Sequence, residues 1–158
     1  MSEREGPPQR GPQHEALAVF LGRWRAEGTA YGRAGQSQED PRSQADEWRS
    51  THTAAWHTGE FFLVQDERAT VAGHPFDTLS IIGVDVDTGR YFARCFENHG
   101  FYRRYDVSVD GAVWTYTGVS ERARIEFSPD GGTQTITWEW CPAGHWIPLC
   151  DRVATRID

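Results

Sequence analysis

At 158 residues with a formal charge of -7, the chain has the size of one ordinary domain and enough length to bury a substantial core. The acidic balance argues against a nucleic-acid partner, which needs a concentrated basic face, and no apolar run approaches the ~20 residues of a membrane-spanning helix. Lysine is absent, so Schiff-base chemistry through a lysine is excluded.

Residues 1–13 are polar and rich in Pro, Gly and charge, without the apolar centre of a signal peptide. They are expected to form a disordered tail ahead of a single domain over 14–158, in a cytoplasmic protein. Leu17, Phe20 and Leu21 follow an i, i+3, i+4 spacing that predicts one or two helical turns. Gly22 is the expected stop, since glycine adopts the left-handed cap conformation without a Cβ clash.

Extended runs are then expected at 24–31, 47–56, 60–70, 77–85, 91–97, 101–109, 113–117, 123–127, 133–140 and 146–157. In the second, Trp48, Ser50, His52, Ala54 and Trp56 share one face. Turn signals separate the runs: Thr58-Gly59, Gly73-His74-Pro75, Asp87-Thr88-Gly89, Asn98-His99-Gly100, Asp110-Gly111, Pro129-Asp130-Gly131-Gly132 and Pro142-Ala143-Gly144. About ten strands joined by connections short enough for antiparallel neighbours form a meander, with no βαβ alternation and no repeat. The long last strand would make an exposed edge, and pairing it with the first strand removes that edge. The fold class is therefore all-β, an antiparallel up-and-down barrel of about ten strands with a short N-terminal helix.

The helix, the Leu21-Gly22-Arg23-Trp24 opening, the meander and an arginine on the last strand together resemble the calycin superfamily. That group holds lipocalins, fatty-acid-binding proteins and nitrobindin-like barrels. The chain is similar above all to its bacterial lipocalin-like families of undescribed function. The resemblance implies that Trp24 packs at the closed end of the barrel against Arg156, a structural pair. Leu149-Cys150-Asp151-Arg152-Val153 is similar to the end of fatty-acid-binding proteins, where an arginine and a tyrosine hold a ligand carboxylate. Arg152 matches that arginine, and Ala154 replaces the tyrosine.

A barrel of this width leaves a cavity, and aromatic walls with a few polar groups are the usual form of a small-molecule site. The residues expected to meet a ligand are Arg152, His52, Tyr91, Phe101, Tyr105, Trp114 and Trp138. The expected partner is a small apolar or amphipathic molecule, anionic where Arg152 anchors it, bound without catalysis or cofactor. Haem is the alternative, since nitrobindin-like barrels bind it through a histidine after a Pro-Leu dipeptide. Here Pro148-Leu149 places Arg152 at that position, and an arginine cannot ligate iron, which leaves His145 as the histidine to consider. A third reading is an interaction module whose outer aromatics make a homodimer. Cys141, His145 and Cys150 match no zinc spacing, so no metal is expected.

Overall fold

The computed structural model describes residues 6–32 and 34–157. The first five residues of the expected tail, Arg33 in the first long loop and Asp158 lie outside the described residues. The chain starts with α1 (Pro12–Ala16) and a 3₁₀ turn (Leu17–Phe20). Eleven strands follow: β1 (Gly22–Ala30), β2 (Asp46–Trp56), β3 (Phe62–Val71), β4 (His74–Pro75), β5 (Thr78–Val84), β6 (Tyr91–Glu97), β7 (Tyr102–Asp110), β8 (Val113–Thr117), β9 (Glu121–Phe127), β10 (Thr133–Trp140) and β11 (Ile147–Arg156).

Apart from β4, a two-residue extension paired to the end of β3, the strands form a closed antiparallel ring. Each pairs with its neighbour in sequence, and β1 pairs with both β2 and β11, in register Trp24 to His52 and Trp24 to Arg156. The ten-stranded barrel expected from the sequence is thus the fold. The short strand β4 was not anticipated, because Gly73-His74-Pro75 reads only as a break.

Closure is locked by one cluster at the end where β1 begins. Trp24 is fully buried and its indole N–H donates to the Phe20 carbonyl at 3.1 Å. The Arg156 guanidinium lies over the indole at 4.3 Å and donates to the carbonyls of Leu21 and Gly131. These bonds tie the last strand to the helical turn and to the β9–β10 turn at once. Gly22 is not the residue that ends the helix; the turn ends at Phe20 and Gly22 opens β1 with φ +119°. The positive φ calls for glycine, and a Cβ there would also push the Arg156 guanidinium off its place.

The helical segment plugs this end. Leu17 and Phe20 are buried, and Phe20 meets Trp114 and Phe127 edge-on at 5.0 and 5.1 Å. The expected tail boundary at residue 13 moves toward the N-terminus. Arg10 donates to the Glu60 carbonyl at 2.8 Å and stacks over Trp56, and Gln13 donates to the Gly89 carbonyl. No helix among the described residues is long and apolar enough to cross a membrane.

Replacing Arg156 with alanine removes the cation–π contact and two charge-assisted hydrogen bonds. The unfolding free energy is expected to fall by about 2–4 kcal/mol, read as a lower urea midpoint at unchanged m-value.

Candidate functional site

Side-chain size along the inward faces decides where the barrel is full and where it is hollow. At the plugged end the inward residues are large: Leu63, Val84, Tyr91, Val107, Trp114 and Phe127 are all buried. Toward the other end they include Ala69, Ser80, Cys95, Ala123 and Cys150. A close-packed interior needs volume that these small side chains do not supply. The result is an open-mouthed cavity of about 450 Å³, floored by Phe20 and reaching up to Phe101, Trp140 and Leu149.

One wall is apolar and aromatic. Ile125 and Ile136 lie beside a cluster of Tyr105, Tyr116 and Trp138, whose rings meet at 5.4–6.2 Å. Tyr105 Oη donates to Glu121 Oε2 at 2.9 Å, and Arg103 faces Glu121 at 3.7 Å. Phe101 stands at the mouth, 55% exposed, beneath the Arg103 guanidinium.

The adjoining part of the wall, from β11 round to β2, β3 and β5, carries most of the buried polar groups. Arg152 lies over Trp48 at 4.2 Å and points Nη2 at Glu67 Oε1, 3.7 Å away. Glu67 is 6% exposed and its other oxygen is 3.8 Å from His52 Nδ1. His52 stacks on Trp24, ring centroids 6.0 Å apart. Ser80 Oγ donates to Cys95 Sγ at 3.3 Å. Several buried atoms on this lining have no hydrogen-bond partner among the described residues: both His52 nitrogens, Gln134 Nε2 and Arg152 Nε.

Burial sets the protonation states. His52 is pushed down to about 4, by desolvation first and then by the Arg152 charge, so its ring is neutral at pH 7. Burial pushes the Cys95 thiol up to about 11, and Cys150 also upward. Tyr105 and Tyr116 are raised by burial as well, Tyr105 further by Glu121.

Of the residues expected to meet a ligand, His52, Phe101, Tyr105, Trp138 and Arg152 line the cavity. Tyr91 and Trp114 do not. They pack edge-on at 5.1 Å within the plug, where Tyr91 Oη donates to the Gln13 carbonyl. Their strands, β6 and β8, enter the barrel at the closed end, so these positions face inward at the wrong depth. His145 sits exposed in the β10–β11 turn and lines no part of the cavity, and Arg152 holds the place after Pro148-Leu149.

Sequence reasoning passed over Glu67 and Gln134. Both were available from period-two spacing: Glu67 shares a face with Leu63, Gln65 and Ala69, and Gln134 with Ile136 and Trp138. Their polarity made them look outward-facing.

The His52 shift fixes a pH dependence. As pH falls below 6.5 the unfolded chain takes up the proton first, so it binds more protons than the native state and the unfolding free energy drops. The loss runs from pH 6.5 to about 4 and amounts to about 3 kcal/mol. Denaturation of wild type and His52→Phe across that window checks it; the variant is expected to lack this component.

Two solved structures show the same architecture. The crystal structure of Rv2717c from M. tuberculosis superposes with a TM-score of 0.68 at 16% identity, covering 95% of this chain and all of that one. A zebrafish ileal bile acid-binding protein complexed with cholic acid gives 0.56 at 13% identity, covering 88% of this chain and 99% of that one. At these identities the likeness is one of fold. No curated protein sequence matches the chain significantly. Residues 9–137 match the family model described as "Protein of unknown function (DUF1579)", and the chain belongs to that family.

Proposed function

We propose that this barrel binds one small, largely apolar molecule in its interior, non-covalently and without catalysis. The observation that carries the reading is the open cavity of about 450 Å³, with an aromatic wall and a few converging polar groups. The zebrafish neighbour, described in complex with cholic acid, uses the same architecture. Binding is favoured over catalysis because the thiol, phenol and imidazole groups lining the cavity are held in inert forms. The Cys95 thiol and the tyrosines stay protonated, and a histidine titrating near 4 is a weak base at neutral pH. Haem is the weaker reading: His145 is exposed and does not line the cavity, and the arginine at the expected ligand position cannot bind iron.

The neutral dye Nile red tests this. Wild type is expected to bind it saturably, one per chain, with a blue-shifted emission. Ser80→Phe places a ring in the hollow and is expected to weaken binding at least about tenfold at unchanged circular dichroism. Equal binding by both proteins, or none by wild type, would refute the cavity reading.

A second reading, compatible with the first, concerns the outer wall. Phe62, Leu79, Phe96 and Tyr102 are each 37–43% exposed on β3, β5, β6 and β7. The cross-strand rows read Asp66–Leu79–Phe96–Tyr102 and Ile81–Arg94–Arg104. An apolar face with arginines at its centre and aspartates, Asp66 and Asp106, at its edges is self-complementary under a two-fold axis. We infer a homodimer through this face. Sedimentation equilibrium is expected to show a dimer that Phe96→Glu converts to monomer; a wild-type monomer at all concentrations would remove the idea.

A further inference from the structure

The ligand class follows from which polar groups in the cavity are already satisfied. The guanidinium of Arg152 is not a free anchor for an anion. Glu67 sits 3.7 Å from it, and the two formal charges on that wall cancel. Both side chains are nearly shielded from solvent, with exposures of 10% and 7%. An incoming carboxylate would lose its hydration and meet the Glu67 carboxylate, with no uncompensated positive charge to offset either.

The groups that lack partners are of another kind. Gln134 is 2% exposed and His52 4% exposed, and both line the cavity. Gln134 Nε2 is a donor, Arg152 Nε is a donor, and the neutral His52 ring offers one donor and one acceptor. Buried polar atoms normally have partners, and leaving them without any is unfavourable. Gln134 lies in the cross-strand row Ser50–Ala26–Ala154–Gln134, and His52 is one inward position deeper along β2. Both therefore belong to the inner part of the cavity, toward the Phe20 floor.

Resting on the cavity reading above, we propose that the occupant enters head first and carries an uncharged, acceptor-rich polar head, such as a carboxamide, ketone or ester, that docks on His52 and Gln134. Its apolar body then lies against Ile125, Ile136 and Trp138. A carboxamide matches best. Its carbonyl accepts from the Gln134 or Arg152 N–H, and its NH₂ group can donate to the unprotonated His52 nitrogen. An ester or ketone satisfies the donors alone. The Arg152–Glu67 pair acts as a filter against free acids and does not serve as their anchor.

Competition against bound Nile red at pH 7 tests this with decanamide and decanoate, which share a chain and differ in head charge. Decanamide is expected to displace the dye at about tenfold lower concentration than decanoate. In His52→Phe/Gln134→Leu, with Nile red still bound, decanamide is expected to displace the dye at least about fivefold more weakly, while decanoate, still facing the Arg152–Glu67 pair, is little changed. Equal or better displacement by decanoate in wild type, which needs no variant, would overturn the neutral-head proposal while leaving cavity binding intact. Displacement by decanamide that is undiminished in the double variant would overturn the assignment to these two residues. Failure of the dye and both chains to bind would overturn the cavity reading itself, and this proposal with it.

Discussion

The fold depends on the pairing of the last strand with the first, and the Arg156–Trp24 contact is what holds that seam at its end. Closing a sheet of ten strands brings together residues more than a hundred positions apart, and the entropy of that loop must be offset at the point of contact. The guanidinium supplies three interactions from one side chain: the indole face, the Leu21 carbonyl and the Gly131 carbonyl. Farther along the same seam, Gly28 stands opposite Arg152. A Cβ on residue 28 would fall on the backbone of Asp151 and Arg152. The missing side chain lets the two strands approach closely where the polar wall begins.

From that seam the interior divides by depth. The plug end is filled by Trp24, Phe20, Leu17 and Leu63, all essentially inaccessible. These fully buried residues provide the close packing that stabilises the domain. The mouth end mixes aromatic walls with small inward side chains such as Ser80, Cys95 and Cys150, and its centre is left unfilled. A barrel built this way separates its tasks: the closed half carries stability, and the open half can hold a cavity and unpaired polar atoms. The partner-free groups of His52 and Gln134 lie where the two halves meet, with His52 stacked on Trp24 at the top of the packed end.

Much of this architecture is legible in the sequence. Ten runs, separated by turn signals such as Asp110-Gly111 and Asn98-His99-Gly100, appear as the ten barrel strands, because period-two patterning and turn chemistry are both local. Depth is not local. Tyr91 and Trp114 carry the right inward parity and still miss the cavity, since parity says which face a residue takes and nothing of its height along the barrel. The site is legible to the same extent. His52, Tyr105, Trp138 and Arg152 are found from aromatic and basic residues on inward strands, whereas Glu67 escapes because a carboxylate in the sequence Gln65-Asp66-Glu67-Arg68 reads as surface.

That carboxylate changes what Arg152 means. Alone in an aromatic cavity, the arginine would be a bidentate anchor for an acid, as its sequence context suggests. Paired with Glu67 and stacked on Trp48, it becomes part of the wall. Removing it leaves a buried carboxylate without a counter-charge, a change of the kind that costs about 3–5 kcal/mol. Arg152→Ala is therefore not a clean test of anion binding in this geometry, because it also strips the counter-charge from Glu67. A loss of binding on that substitution would report the loss of Glu67's partner as much as the loss of an anchor. Only a change that removes both charges together, such as Arg152→Met with Glu67→Gln, separates ligand recognition from the integrity of the wall.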